Sequence, residues 1–126
     1  MKITQLDHLV LTVRDIQVSC DFYTRILGMQ LVEFAGGRKA LKFGSQKINL
    51  HQHRQEFKPK AALPTQGSAD LCFLTEVPVS EVANHLKRNQ IEIIEGPVER
   101  TGAEGPILSI YLRDPDGNLL EIANRK

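Results

Sequence analysis

Residues 6–29 read LDHLVLTVRDIQVSCDFYTRILGM, and the switch of period inside this stretch decides the fold. From Leu6 to Val13 apolar and polar residues alternate and β-branched types are frequent, which predicts a strand. Asp15 then offers a helix N-cap, and Ile16, Cys20, Tyr23 and Leu27 recur at helical spacing until Gly28 stops the helix. Phe22 and Tyr23 are expected to pack this helix on a sheet. Downstream, Gln30 to Ala35, Arg38 to Phe43 and Lys47 to His51 predict three strands, separated by tight turns at Gly36-Gly37 and Gly44-Ser45.

The same order begins again after a break. Gln52 to Ser68 is polar, holds Pro59 and Pro64 and ends in Gly67-Ser68, which marks a linker. Ala69 to Thr75 predicts a strand. Pro78 suits a first helical turn, and Val79, Val82, Ala83 and Leu86 form an apolar stripe ending near Asn89. Glu92 to Ile94, Ile107 to Arg113 and Asn118 to Ala123 predict three further strands. Asp114-Pro115-Asp116-Gly117-Asn118 is a strong turn between the last two. The chain is thus expected to be one α+β domain over residues 1–126: module one at about 4–52, a linker at about 53–67 and module two at about 68–126. Each βαβββ unit is too small to cover its own sheet, so the two are expected to form a rolled mixed β-sheet with the helices outside. A ferredoxin-like split βαβ is the plainer alternative, but each half has three strands after its helix.

Bulk properties narrow the function. The chain has 126 residues, 41% of them hydrophobic and 25% charged, with 16 basic and 15 acidic side chains and a net charge of +1. No basic excess points to nucleic acid, and no stretch reaches the length of a membrane span. The N-terminal run lacks the pattern of a signal peptide. Cys20 and Cys72 have no metal-type spacing and are expected to be reduced, buried thiols of a cytoplasmic protein.

Strand parity then separates polar from apolar faces. Leu9, Leu11 and Val13 share one face of the first strand and His8 lies on the other. Ile48 and Leu50 oppose Asn49 and His51; Leu71 and Phe73 oppose Asp70; Leu120 and Ile122 oppose Glu121. The repeat aligns His8 with Asp70 and Asn49 with Glu121. If the apolar faces meet the helices, these polar groups share the inner faces, where an unpartnered carboxylate or imidazole costs several kcal/mol. A metal ion or a polar pocket removes that cost. Two features stay open at this level. His53, Arg54, Lys58 and Lys60 form a basic stretch that is either solvated or a lid for an anionic group. Arg100, in the Gly-rich run GPVERTGAEGP, is either free or a carboxylate grip. Parity alone does not place Tyr111 in core or pocket.

LDHLVLTV with RDIQVSCDFYTRILGM resembles the opening β-α unit of the vicinal oxygen chelate superfamily, and DPDGNLLEI resembles its closing hairpin. KALKFGSQKINLH and GPVERTGAEGPILSIYLRDPDGNLLE are most similar to the glyoxalase-domain-containing protein 5 group and its bacterial relatives. The resemblance implies one metal ligand from each of four strands, which falls here on His8, Asn49, Asp70 and Glu121. Many members have Glu where Asn49 stands and His where Asp70 stands. His51, on the face of Asn49, is a further ligand candidate. The resemblance implies a divalent ion (Zn, Ni, Mn or Fe) and a lyase or isomerase of the lactoylglutathione lyase type. Its small anionic substrate would carry adjacent oxygens, and Glu121 would be the base. Extradiol dioxygenases and fosfomycin thiol transferases resemble a His, His, Glu set that Asp70 departs from. The alternative is a metal-free small-molecule binding or drug-sequestering protein of the same fold. Relatives of this length imply a homodimer.

Overall fold

The computed structural model describes all 126 residues. The chain divides into two compact units, residues 1–67 and 68–126. The first contains β1 (His8–Val13), α1 (Ile16–Arg25), β2 (Gln30–Phe34), β3 (Arg38–Phe43) and β4 (Gln46–Gln52). The second contains β5 (Asp70–Leu74), α2 (Val79–Arg88), β6 (Glu95–Gly102), β7 (Gly105–Arg113) and β8 (Leu119–Arg125). Each unit holds one mixed four-stranded sheet, in the orders β1-β4-β3-β2 and β5-β8-β7-β6. β1 runs parallel to β4 and β5 to β8, and the other pairings are antiparallel. This is the repeated βαβββ, glyoxalase-like arrangement that the residue pattern predicts.

The helices sit on the apolar faces because those faces must leave water. In unit one, Leu11, Val13, Leu41, Ile48 and Leu50 are buried together with Cys20, Phe22 and Tyr23 of α1. The rings of Phe22 and Tyr23 meet edge to face at 5.2 Å. In unit two, Ile110, Leu112, Leu120 and Ile122 are buried together with Val79 and Leu86 of α2. Each such side chain contributes roughly 1.5–3 kcal/mol by leaving water.

Long-range side-chain bonds clip both units at matching places. Gln46 Nε2 donates to the Leu6 carbonyl at 2.8 Å, ahead of β1. The Ala69 N–H donates to Asn118 Oδ1 at 2.9 Å, ahead of β5. At the helix starts, the Ile16 N–H donates to Gln52 Oε1 at 3.2 Å, and the Val79 N–H donates to Asn124 Oδ1 at 2.8 Å. α1 has a second cap, Asp15, which accepts from the N–H groups of Gln17 and Val18. α2 starts at Pro78, whose side chain makes no capping bond, so Asn124 on β8 does this work from outside the helix.

One strand lies elsewhere than expected. Glu92–Ile94 is outside any strand, and β6 instead spans Glu95–Gly102, within the run read as a Gly-rich loop. β6 is an edge strand, with an irregular register between Glu95 and Val98. Pro is tolerated at such a bulge because no ladder hydrogen bond is lost there. Gly96 has φ +110°, and a Cβ on it would stand 2.4 Å from the Ser109 carbonyl oxygen, so the close approach of β6 to β7 requires glycine. Arg100 consequently sits on a strand, not in a loop. No helix is long and apolar enough to cross a membrane.

Candidate functional site

In unit one the register sets His8, Val10 and Thr12 of β1 beside Lys47, Asn49 and His51 of β4, all on the face away from α1. The His8 side chain is 45% exposed, and its Nδ1 lies 2.8 Å from Asp7 Oδ1. Asn49 presents a buried Oδ1 with no hydrogen-bond partner. His51 is only 8% exposed, because the linker folds over it. The Phe57 ring meets the His51 ring edge-on at 5.5 Å, and the Arg38 guanidinium stacks on Phe57 at 4.0 Å. Burial, aided by the Arg38 charge, holds the His51 imidazole below its ordinary pKa, against an opposing pull from Glu56.

The basic stretch of the linker is organised by one acid. Glu56 accepts from the Arg54 N–H and, at 3.3 Å, from Lys60 Nζ, and it lies 3.9 Å from His53 Nδ1. Burial would raise the Glu56 pKa, but the backbone N–H groups of Arg54 and Glu56 and the Lys60 ammonium outweigh it and lower it.

Unit two repeats the register with different chemistry. Asp70 lies opposite Leu119, and Cys72 opposite Glu121, which also faces Tyr111 of β7. Ser109 Oγ donates to Glu121 Oε2 at 2.5 Å. Desolvation, then the neighbouring Glu121 and Asp70 carboxylates, push the Cys72 thiol up to about 11. Desolvation also raises the Tyr111 phenol, with Arg100 opposing and Glu121 reinforcing. Cys72 is exposed and only Cys20 is buried, which corrects the expectation of two buried thiols. The reason is parity: Cys72 pairs with Glu121 and so shares its polar face, while Leu71 and Phe73 take the apolar one.

Arg100 closes this network. Its Nε donates to the Tyr111 hydroxyl at 3.0 Å, its Nη2 to Glu95 Oε2 at 3.0 Å and its Nη1 to the Glu99 carbonyl at 3.2 Å. Tyr111, whose side was open from sequence, thus lies on the Glu121 face. A cavity of about 430 Å³ adjoins it, with Glu121, Cys72, Tyr111 and Arg100 among its walls. Ser109, Cys72 and Glu95 are site residues that the sequence reading missed. Their signal was strand parity, usable only once the registers of β6 and β7 were known.

The structure places the five sequence-predicted ligands as two half-sets. His8, Asn49 and His51 stand on adjoining strands of unit one, and Asp70 and Glu121 on adjoining strands of unit two. His8 relates to Asn49 as Asp70 relates to Glu121: in each unit the first residue lies two register pairs before the second and so shares its face. No three His, Cys, Asp or Glu side chains of the chain converge as a metal-binding group. The donor types nonetheless fit a divalent ion: an imidazole, carboxylate oxygens, and an amide oxygen that is buried without a partner.

Two mixed sheets built from repeated βαβββ units, each presenting a polar face away from its helix, define the vicinal oxygen chelate class of protein. The chain belongs to the Glyoxalase/Bleomycin resistance protein/Dioxygenase superfamily, whose family model matches residues 5–122. It is 58% identical over 123 residues to virulence protein STM3117 of Salmonella typhimurium (strain LT2), covering 98% of this chain and 85% of that one. The crystal structure of that protein matches with a TM-score of 0.98 at 57% identity, covering 100% of both chains. The glyoxalase domain-containing protein RDO1 of Mycosarcoma maydis is 56% identical over 124 residues, covering 98% of this chain and 70% of that protein. The structure of lactoylglutathione lyase from Agrobacterium tumefaciens shares the fold, with a TM-score of 0.76 at 21% identity and coverage of 98% and 96%.

Proposed function

We propose that this protein is a divalent-metal-dependent lyase or isomerase, and that its substrate is a small anion with two adjacent oxygens, such as a 2-oxoaldehyde adduct. The observation that carries this reading is the Asn49 side chain: its Oδ1 is buried without a partner, on the face that also bears His8. An orphaned buried acceptor costs about 1–3 kcal/mol, and a bound cation would offset that cost. His8, Asn49, Asp70 and Glu121 would hold the ion, with His51 flanking them; its depressed pKa favours the neutral imidazole that a metal ligand must be. Zn, Ni, Mn or Fe in such a site supplies Lewis-acid polarisation of the substrate oxygens when bound.

The chain's own groups would do the rest. Glu121 takes the proton from the substrate carbon and returns it to the neighbouring one. Ser109, donating to Oε2, would hold the carboxylate in place for this transfer. The protein would act as a homodimer with the donors drawn from two copies. In support, Val10 and Leu74 are exposed apolar side chains on the polar faces that bear Asn49 and Glu121. Two free thiols fit a reducing cytoplasm.

Metal analysis of the purified protein tests the reading. The expected result is roughly one ion per chain, lost in both His8→Ala and Glu121→Ala, together with chelator-sensitive turnover of 2-oxoaldehyde–thiol adducts. Metal-free protein that binds small molecules equally well with and without chelator would overturn it in favour of a sequestering module.

A further inference from the structure

The cavity beside Glu121 has a composition that the proposed chemistry does not use. Leu74, Ala103, Pro106 and Ile107 give it apolar walls. Arg100, Arg125 and Lys126 bring three cations to it, and Glu104 and Glu121 two carboxylates. All three cations are ion-paired: Arg125 to Glu104 at 2.8 Å, Lys126 to Glu99 at 2.8 Å and Arg100 to Glu95 at 3.0 Å. Arg100 differs in its bonding. A guanidinium carries five N–H groups in a rigid plane. Three are committed, one each to Tyr111, Glu95 and the Glu99 carbonyl. That leaves one on each terminal nitrogen, on a side chain still 39% exposed. Tyr111 and Glu95 fix the plane of the fork before any ligand arrives, so little side-chain entropy remains to be lost on binding.

We propose that Arg100 is the specificity-determining residue of this cavity, with Tyr111 as its positioning residue, and that the cavity takes a short-chain monocarboxylate. The acid group meets the free N–H groups of Arg100, and the alkyl part lies on Leu74 and Ile107. Volume and charge both set the class. About 430 Å³ sits at the lower end of small-molecule sites, which suits a short chain. Arg125 and Lys126 are already offset by Glu104 and Glu99, so a dianion such as phosphate gains little from them and meets Glu121 and Glu95 with twice the repulsion of a monoanion. This inference deepens the proposed function, because it names the anionic group of the substrate and where it sits. Its physical basis lies wholly in unit two and does not involve the metal.

The test is therefore run on His8→Ala protein, which the preceding reading strips of metal. Butyrate and hexanoate, their primary amides, and inorganic phosphate are titrated while backbone amide resonances are followed by NMR. The expected result is that each carboxylate binds about tenfold or more tightly than its amide, with the largest shifts in β6 and β7. The carboxylate-to-amide ratio should fall to near one in Arg100→Met and partly recover in Arg100→Lys. Tyr111→Phe keeps a ratio above one but below that of the parent, which a purely structural role for Tyr111 would not produce. Amides binding as well as carboxylates, phosphate binding more tightly than either, or an unchanged ratio in folded Arg100→Met would each overturn the proposal. A metal-free parent protein that still prefers carboxylates would overturn the metal reading and leave this one standing.

Discussion

The two modules share one backbone plan, and their equivalent polar faces differ in chemistry. In module one the polar face offers imidazole and amide groups among cations: His8, Asn49 and His51, with Arg38 and Lys47 beside them and Phe57 edge-on to His51. In module two the equivalent positions are carboxylates, Asp70 and Glu121, and the face opens into a cavity. The β1–β4 and β5–β8 registers match, so the difference in donor chemistry comes from the side chains, and the cover on module one comes from the linker. Under the proposed reading the repeat divides the labour of a site, with one module supplying imidazole and amide donors and the other carboxylates, one of them the base.

The clips that hold the modules differ as well, and the largest expected effect follows from them. Asn118 is 1% exposed; it receives the Ala69 N–H and donates to Asp114 Oδ2 at 2.7 Å, while its own N–H donates to Asp114 Oδ1 at 2.9 Å. Its counterpart Gln46 makes one exposed bond. Asn118→Ala orphans buried groups and is expected to cost about 2–4 kcal/mol, against less than about 0.5 kcal/mol for Gln46→Ala. Urea unfolding of the two variants measures both. Equal losses would mean that the two clips are energetically alike and that the burial difference does not matter.

The next effect separates the helix starts. Asn124→Ala removes the only side-chain partner of the α2 start and frees the carbonyls of Thr75 and Val77, to which Asn124 Nδ2 donates. About 1–2 kcal/mol should be lost. Gln52→Ala leaves Asp15 capping α1 and should cost about half as much. Thermal midpoints of both variants sharpen the comparison, and the reverse order would break it.

These clips also show where sequence reading stops. Alternation located β1 to β5, β7 and β8 and both helices, because a half-buried strand or a surface helix writes its period into the residues. β6 escaped because Glu, Gly and Pro carry no β signal, and an edge strand tolerates them. His8, Asn49, Asp70 and Glu121 were legible as polar interruptions of apolar strands. Ser109 and Cys72 were not: a small residue on a strand reads as filler until its cross-strand neighbour is known to be Glu121. The cover on His51 was equally hidden, since Phe57 sits in a polar stretch with no periodicity to place it.

That cover gives the smallest effect, and it is specific to module one. With its pKa depressed in the folded state, His51 binds fewer protons there than in the unfolded chain. Its contribution to stability is therefore fully present above the ordinary histidine range, near 6.5, and is lost as pH falls below it toward the folded value. The thermal midpoint should drop between pH 7 and pH 5 by less than about 4 °C from this source. His51→Gln should flatten that part of the slope, because an amide does not titrate. Phe57→Ala should do the same by letting water reach the imidazole and bringing its pKa back toward the ordinary value. Glu56 and His53 face the same linker and titrate nearby, so the Phe57→Ala slope is compared with that of Phe57→Ala/His51→Gln. If the double variant is no flatter than the single one, the aromatic cover has been lifted off the imidazole as argued. If it is much flatter, His51 is desolvated by the sheet itself, and the contrast between a covered module and an open one loses its physical basis.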